Sequence, residues 1–187
     1  MQDKNKDERN CKLLKQQILE EPNNPIMKLF YIRDYLQVLP LEEIERYIRE
    51  ISYLIDCKTY EKEKIWYQVC MTNVLLEKNF QDKNYDRVKK LAHTLGKIMP
   101  NNSNSLYYNT MCKLHMGHNL SRSLLITLLN RIIDYQVFYT ESQYGMIHSE
   151  GYHLDYLIYE ILTTIGFHKE AEKYLTVLEK TTLLNHL

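Results

Sequence analysis

The stretch Leu75–Pro100, LLEKNFQDKNYDRVKKLAHTLGKIMP, decides the fold. After Asn84, apolar residues return at three and four: Val88, Leu91, Ala92, Leu95 and Ile98, up to the stop at Pro100. That spacing puts them on one side of a helix. The residues before it hold a second helical pattern, with Ile65, Trp66, Val69, Val74, Leu75 and Leu76 inward and Thr59 as its cap. Two such helices separated by a short polar break fold back as an antiparallel hairpin.

The same periodicity runs outward in both directions, and strand-like alternation is nearly absent. Toward the N-terminus, a helix over Asp7–Glu20 is broken by Pro22, Asn23, Asn24 and Pro25. Asn24 reads as an N-cap with Pro25 at the first helical position, where a missing N–H costs nothing. A second helix runs to about Val38. Pro40 opens a third, with Ile44, Tyr47, Ile48 and Ile51 on its stripe and Glu42 and Glu43 at the end where the helix dipole favours negative charge. Toward the C-terminus, Ser103 or Asn104 caps a sixth helix that ends near Gly117. Asn119 or Ser121 opens a seventh whose stripe, Leu124, Leu125, Leu128, Leu129, Ile132 and Ile133, is wide enough to predict burial on more than one side. An eighth runs from Tyr152 to Ile165, closed by Gly166, and a ninth from His168 to about Thr181. Residues 136–151, with Gly145 and Gly151, are the least regular. The expectation is an all-α fold of about nine helices in a single domain over 1–187, residues 1–21 forming an N-terminal cap. The helices pair as 25–57, 60–99, 103–135 and 152–181.

Composition narrows the functions. With 44% apolar residues in 187, the chain can bury a sizeable core. Lys plus Arg equals Asp plus Glu at 24 each, and splitting at Pro100 leaves only about +2 and −2. That balance lacks the basic field that drives phosphate binding, so direct contact with nucleic acid is not expected. Arg87, Lys89 and Lys90 read as the wet side of a helix. The polar N-terminus reads as neither signal nor anchor, and Leu124–Ile133 falls far short of the ~20 residues of a membrane span, so a cytoplasmic chain is expected. Cys11, Cys57, Cys70 and Cys112 are dispersed, which fits reduced thiols. The 16 tyrosines could mark a recognition surface, but Tyr, Asn, Lys and Ile share AT-rich codons, and codon bias is the simpler account.

Catalytic signatures are lacking. The five glycines are isolated, so no phosphate cradle, nucleophile elbow or paired-glycine fingerprint forms. Cys112, His115 and His118 stand at spacing three, a weak candidate for zinc without an evident fourth ligand. His148 and His153 stand near Glu150 and Asp155, but lie five apart with Gly151 between, unlike a zincin motif. Neither enzyme activity nor a cofactor is expected.

Leu75–Leu76, Tyr85, Val88, Ala92, Leu95 and Pro100 together resemble one tetratricopeptide repeat: large residues on the first helix, an aromatic at the turn, small or apolar residues where the second helix crosses its neighbours, and a closing proline. Gly166, Ala171, Leu175 and Leu178 resemble the same turn and second helix. Tyr31, Ile32, Tyr35, Ile44, Ile48 and Ile51 give a weaker copy, and the third hairpin departs at Arg122. The anchors Ile44, Val88 and Ala171 are not spaced at multiples of the family's repeat length.

The resemblance implies a right-handed stack of about four hairpins, a TPR-like α-solenoid, that binds a protein or peptide on its concave face. By position that face would hold Arg33, Asn73, Glu77, Tyr107, Met111, His115, Tyr156 and Glu160. Bacterial peptide-pheromone receptors pair such a sensor with a DNA-binding helix-turn-helix. This chain looks like the sensor half alone, since the residues before Pro22 are too few for that motif. The last helix, ending Leu183-Leu184-Asn185-His186-Leu187, offers apolar residues for pairing with a second copy.

Overall fold

The computed structural model describes residues 4–57, 60–100, 102–116, 120–137 and 152–179. Among them the fold is all-α, with nine helices and no strand: α1 Lys4–Glu20, α2 Pro25–Asp34, α3 Leu41–Ile55, α4 Lys64–Gln81, α5 Tyr85–Ile98, α6 Ser103–His115, α7 Arg122–Val137, α8 Tyr152–Ile165 and α9 His168–Glu179. Where the sequence suggests one domain, the helices fall into two compact units, Met1–Asn84 and Tyr85–Leu187. None of the described helices is long and apolar enough to cross a membrane.

In the first unit α2 packs against α1, α3 and α4, and α3 against α4. Asn24 starts α2 as the sequence predicts, its Oδ1 accepting from the Ile26 N–H at 3.1 Å ahead of Pro25. The helix stops at Asp34, short of the expected Val38, and a turn carries the chain to Pro40 and α3. Leu29, Tyr31 and Ile32 of α2 meet the α3 stripe of Ile44, Tyr47, Ile51 and Ile55, all buried.

One cation is buried with that core. Lys28 reaches Glu50 across α2 and α3 at 2.6 Å, and Arg46 bonds the other Glu50 oxygen at 2.9 Å. Burial alone would raise the Glu50 carboxyl; the two cations outweigh it and hold it below the usual carboxylate range.

Two expectations for the α4 region change. Thr59 lies outside the described residues, and α4 begins at Lys64 with no side-chain cap at Glu63. Ile65, expected inward, is 56% exposed, while the polar Thr72, Asn73 and Asn79 are buried. α4 is covered by both α2 and α3, so its buried arc is wider than its apolar stripe.

In the second unit α6 packs against α5 and α8, and α8 also against α7 and α9. Val88, Ala92 and Leu95 of α5 are buried, as the periodicity predicts; so is Ala171 of α9. The side chain of Leu178 lies outside those described.

Small residues set the closeness of α5 and α6. Ser105 Oγ donates to the Ala92 carbonyl at 2.8 Å, and a methyl added at Gly96 would stand 3.0 Å from that hydroxyl. Asn102, one residue before the expected caps, starts α6 by accepting from the N–H groups of Asn104 and Ser105.

Ser121 caps α7, its Oγ accepting from Leu124 N–H. The wide α7 stripe is not fully buried: Leu125, Leu128 and Ile132 are inside, while Leu124 and Ile133 are exposed at 41% and 39%. α7 packs against α8. The irregular segment expected at 136–151 lies mostly outside the described residues, although Val137 still belongs to α7.

Candidate partner-binding surface

In the first unit, Arg33 is half-buried near the end of α2. Its guanidinium lies 4.6 Å over the Phe30 ring and pairs with the neighbouring Asp34. It also sits near Cys70 of α4, whose thiol burial pushes up to about 12 although Arg33 draws it the other way. Glu77 of α4 is half-buried and accepts from Gln81 Nε2 at 2.9 Å. Asn73, a turn earlier, is only 1% exposed.

The second unit divides its five candidates. Tyr107 and Met111 of α6 are 2% and 1% exposed. Tyr107 stands edge-on to Tyr108 at 5.0 Å and to His153 of α8 at 5.4 Å. These rings belong to the packing between α6 and α8.

The expected exposed row is therefore corrected at Asn73, Tyr107 and Met111, which are core. The reason is double coverage. α6 has α5 on one side and α8 on another, so its buried arc runs through Ser103, Asn104, Tyr107, Tyr108, Thr110, Met111 and Cys112.

Three candidates remain accessible in that unit. His115 is exposed at the end of α6, its ring stacked on Tyr85 at 5.7 Å and 9°. Tyr156 and Glu160 stand one turn apart on α8, both half-buried. Burial, and then the hydrogen bond and charge of Glu160, raise the Tyr156 phenol far above its ordinary value, so it remains a proton donor throughout the physiological range.

Two residues missed in the sequence belong with them. α8 buries His153, Leu154, Leu157, Ile158, Ile161 and Leu162. At 100° per residue the opposite arc holds Tyr152, Tyr156, Tyr159 and Thr163 in line, with Asp155 and Glu160 at its edges. Each is half-buried. Tyr156 and Tyr159 stack at 6.2 Å and 29°. The signal was tyrosine at helical spacing, hidden by the abundance of tyrosine along the whole chain.

Of the weak metal candidate, Cys112 and His115 fall among the described residues. Cys112 is buried, its thiol directed at the Tyr85 carbonyl at 3.8 Å, and burial pushes it up to about 11. His115 is exposed on the same helix, its ring stacked on Tyr85. His118, and the His148 and Glu150 of the other histidine pair, lie outside the described residues. Among the described residues no three His, Cys, Asp or Glu side chains gather as a metal-binding group.

No protein-family model matches the chain, and neither a curated protein nor a solved structure matches it.

Proposed function

We propose that this chain is a non-catalytic scaffold of tetratricopeptide-like helical hairpins that binds a protein or peptide segment. One observation carries the reading. Helices two apart in chain order pack side by side, α2 with α4 in one unit and α6 with α8 in the other. In a helical solenoid that adjacency makes the first helices of successive hairpins line a common face. The accessible candidates then belong to such faces: Arg33 and Glu77 in the first unit, His115, Tyr156 and Glu160 in the second. Tyrosines held against a rigid helix give large contact area at low entropic cost, as recognition surfaces require.

The test is a peptide-display selection on the full chain. The expected result is enrichment of related peptides whose binding falls on Tyr156→Ala, with the melting temperature nearly unchanged. Tyr107→Ala should instead unfold the second unit. If no peptide enriches, or if Tyr156→Ala leaves binding intact, this surface is not the binding face.

A further inference from the structure

We infer that the half-buried face of α8, Tyr152, Tyr156, Tyr159 and Glu160, receives lysine or arginine side chains of a partner segment. The inference rests on the scaffold reading and names the chemistry of its ligand.

Three features of the face select a cation. The only charged residues on α8 are Asp155 and Glu160; no lysine or arginine lies between Tyr152 and Ile165. Glu160 takes part in no ion pair among the described residues, yet it is half-buried, where a carboxylate gains from a counter-ion more than it would in open water. Beside it, Tyr156 and Tyr159 present stacked rings, and ring faces attract ammonium and guanidinium groups. Guanidinium combines both modes, since its edge pairs with a carboxylate while its plane stacks on a ring.

On α8 itself an anionic ligand meets the opposite situation, acidic side chains and no lysine or arginine. A purely apolar ligand would leave the Glu160 charge with the Tyr156 hydroxyl but no counter-ion. The charge complementarity is local: the whole chain is neutral, with 24 basic and 24 acidic residues, so a basic peptide gains little from the long-range field. The occupant that fits is a segment with cationic side chains spaced to meet the tyrosine row, about one helical turn or two extended residues apart.

The experiment is fluorescence anisotropy on the full chain with three labelled twelve-residue peptides of one Ala/Ser framework. They carry four arginines, four glutamines or four glutamates. The arginine peptide is expected to bind at least tenfold more tightly than the other two. Glu160→Gln is expected to weaken it about tenfold, the scale of one charged contact. The exposed Glu170→Gln on α9, a change of equal charge, should leave it within twofold.

Selection of glutamine or glutamate peptides would overturn the inference while the scaffold reading stands. Binding equally sensitive to Glu160 and Glu170 would also overturn it, as diffuse attraction. If none of the three binds, and display selection also enriches nothing, both readings fail together. If display enriches only uncharged or acidic segments, the inference alone fails.

Discussion

The ends of α4 and α8 have the same backbone geometry made from different residues. At the first, Asn84 N–H bonds the Asn79 carbonyl at 2.8 Å and Lys83 N–H the Phe80 carbonyl at 3.0 Å, with Lys83 at φ 58°. At the second, Phe167 N–H bonds Leu162 at 2.9 Å and Gly166 N–H bonds Thr163 at 3.1 Å, with Gly166 at φ 88°. Both are Schellman endings, which need one residue in the left-handed region. Five residues beyond that position stand Val88 and Ala171, both buried.

The difference lies in what holds the left-handed residue. Glycine adopts it without a Cβ penalty. Lysine does not, and the first ending has a polar clamp: buried Asn79 donates to the Leu75 carbonyl at 2.7 Å and accepts from Asn84 Nδ2 at 3.3 Å. A repeating backbone geometry can thus outlast the residue pattern that marks it in sequence.

The equivalence can be broken first at the buried anchors. Val88→Asp and Ala171→Asp each bury a carboxylate in place of an apolar side chain, and each should cost more than ~3 kcal/mol in urea unfolding. Tolerance at one anchor and collapse at the other would mean that the two endings lead into different packing. Asn79→Ala should come next, at about 2 kcal/mol, because it strips the clamp from the strained ending. A loss below half of that would show Lys83 holding its conformation unaided. Gly166→Ala should cost about 1 kcal/mol, since alanine resists a φ of 88° while open space surrounds the position. The smallest effect has the opposite sign. Lys83→Gly should stabilise by roughly 0.5 kcal/mol, and by more in an Asn79→Ala background. Destabilisation by Lys83→Gly would remove the parallel between the two endings.

The sequence was most legible where apolar spacing and helix punctuation agreed. Asn24–Pro25, Pro40 and Gly166 mark real helix ends, and Val88, Ala92, Leu95 and Ala171 are core. It misled where a helix has neighbours on two sides, or where its apolar stripe is wider than its buried face. Asn73, Thr72 and Asn79 are polar yet inside because α4 is doubly covered; Leu124 and Ile133 are apolar yet exposed, at the two edges of the α7 stripe. Periodicity reports the direction of a buried face but not its width. The candidate surface suffered from the same gap. Tyr107 and Met111 fit the repeat position but fall inside the widened arc of α6, whereas Tyr156 and Glu160 fall on the half-buried arc of α8. Tyr152 and Tyr159 could be found only once that arc was known.

The proposed binding face depends on α6 lying beside α8, with α7 passed over in chain order. Tyr107 and His153 report this directly, their rings 5.4 Å apart with neither residue exposed. Nuclear Overhauser spectra of the full chain in solution should show cross-peaks between the ring protons of Tyr107 and His153. Assigned rings without that cross-peak, with Tyr107 instead meeting only α7 protons, would contradict the arrangement on which the surface is built.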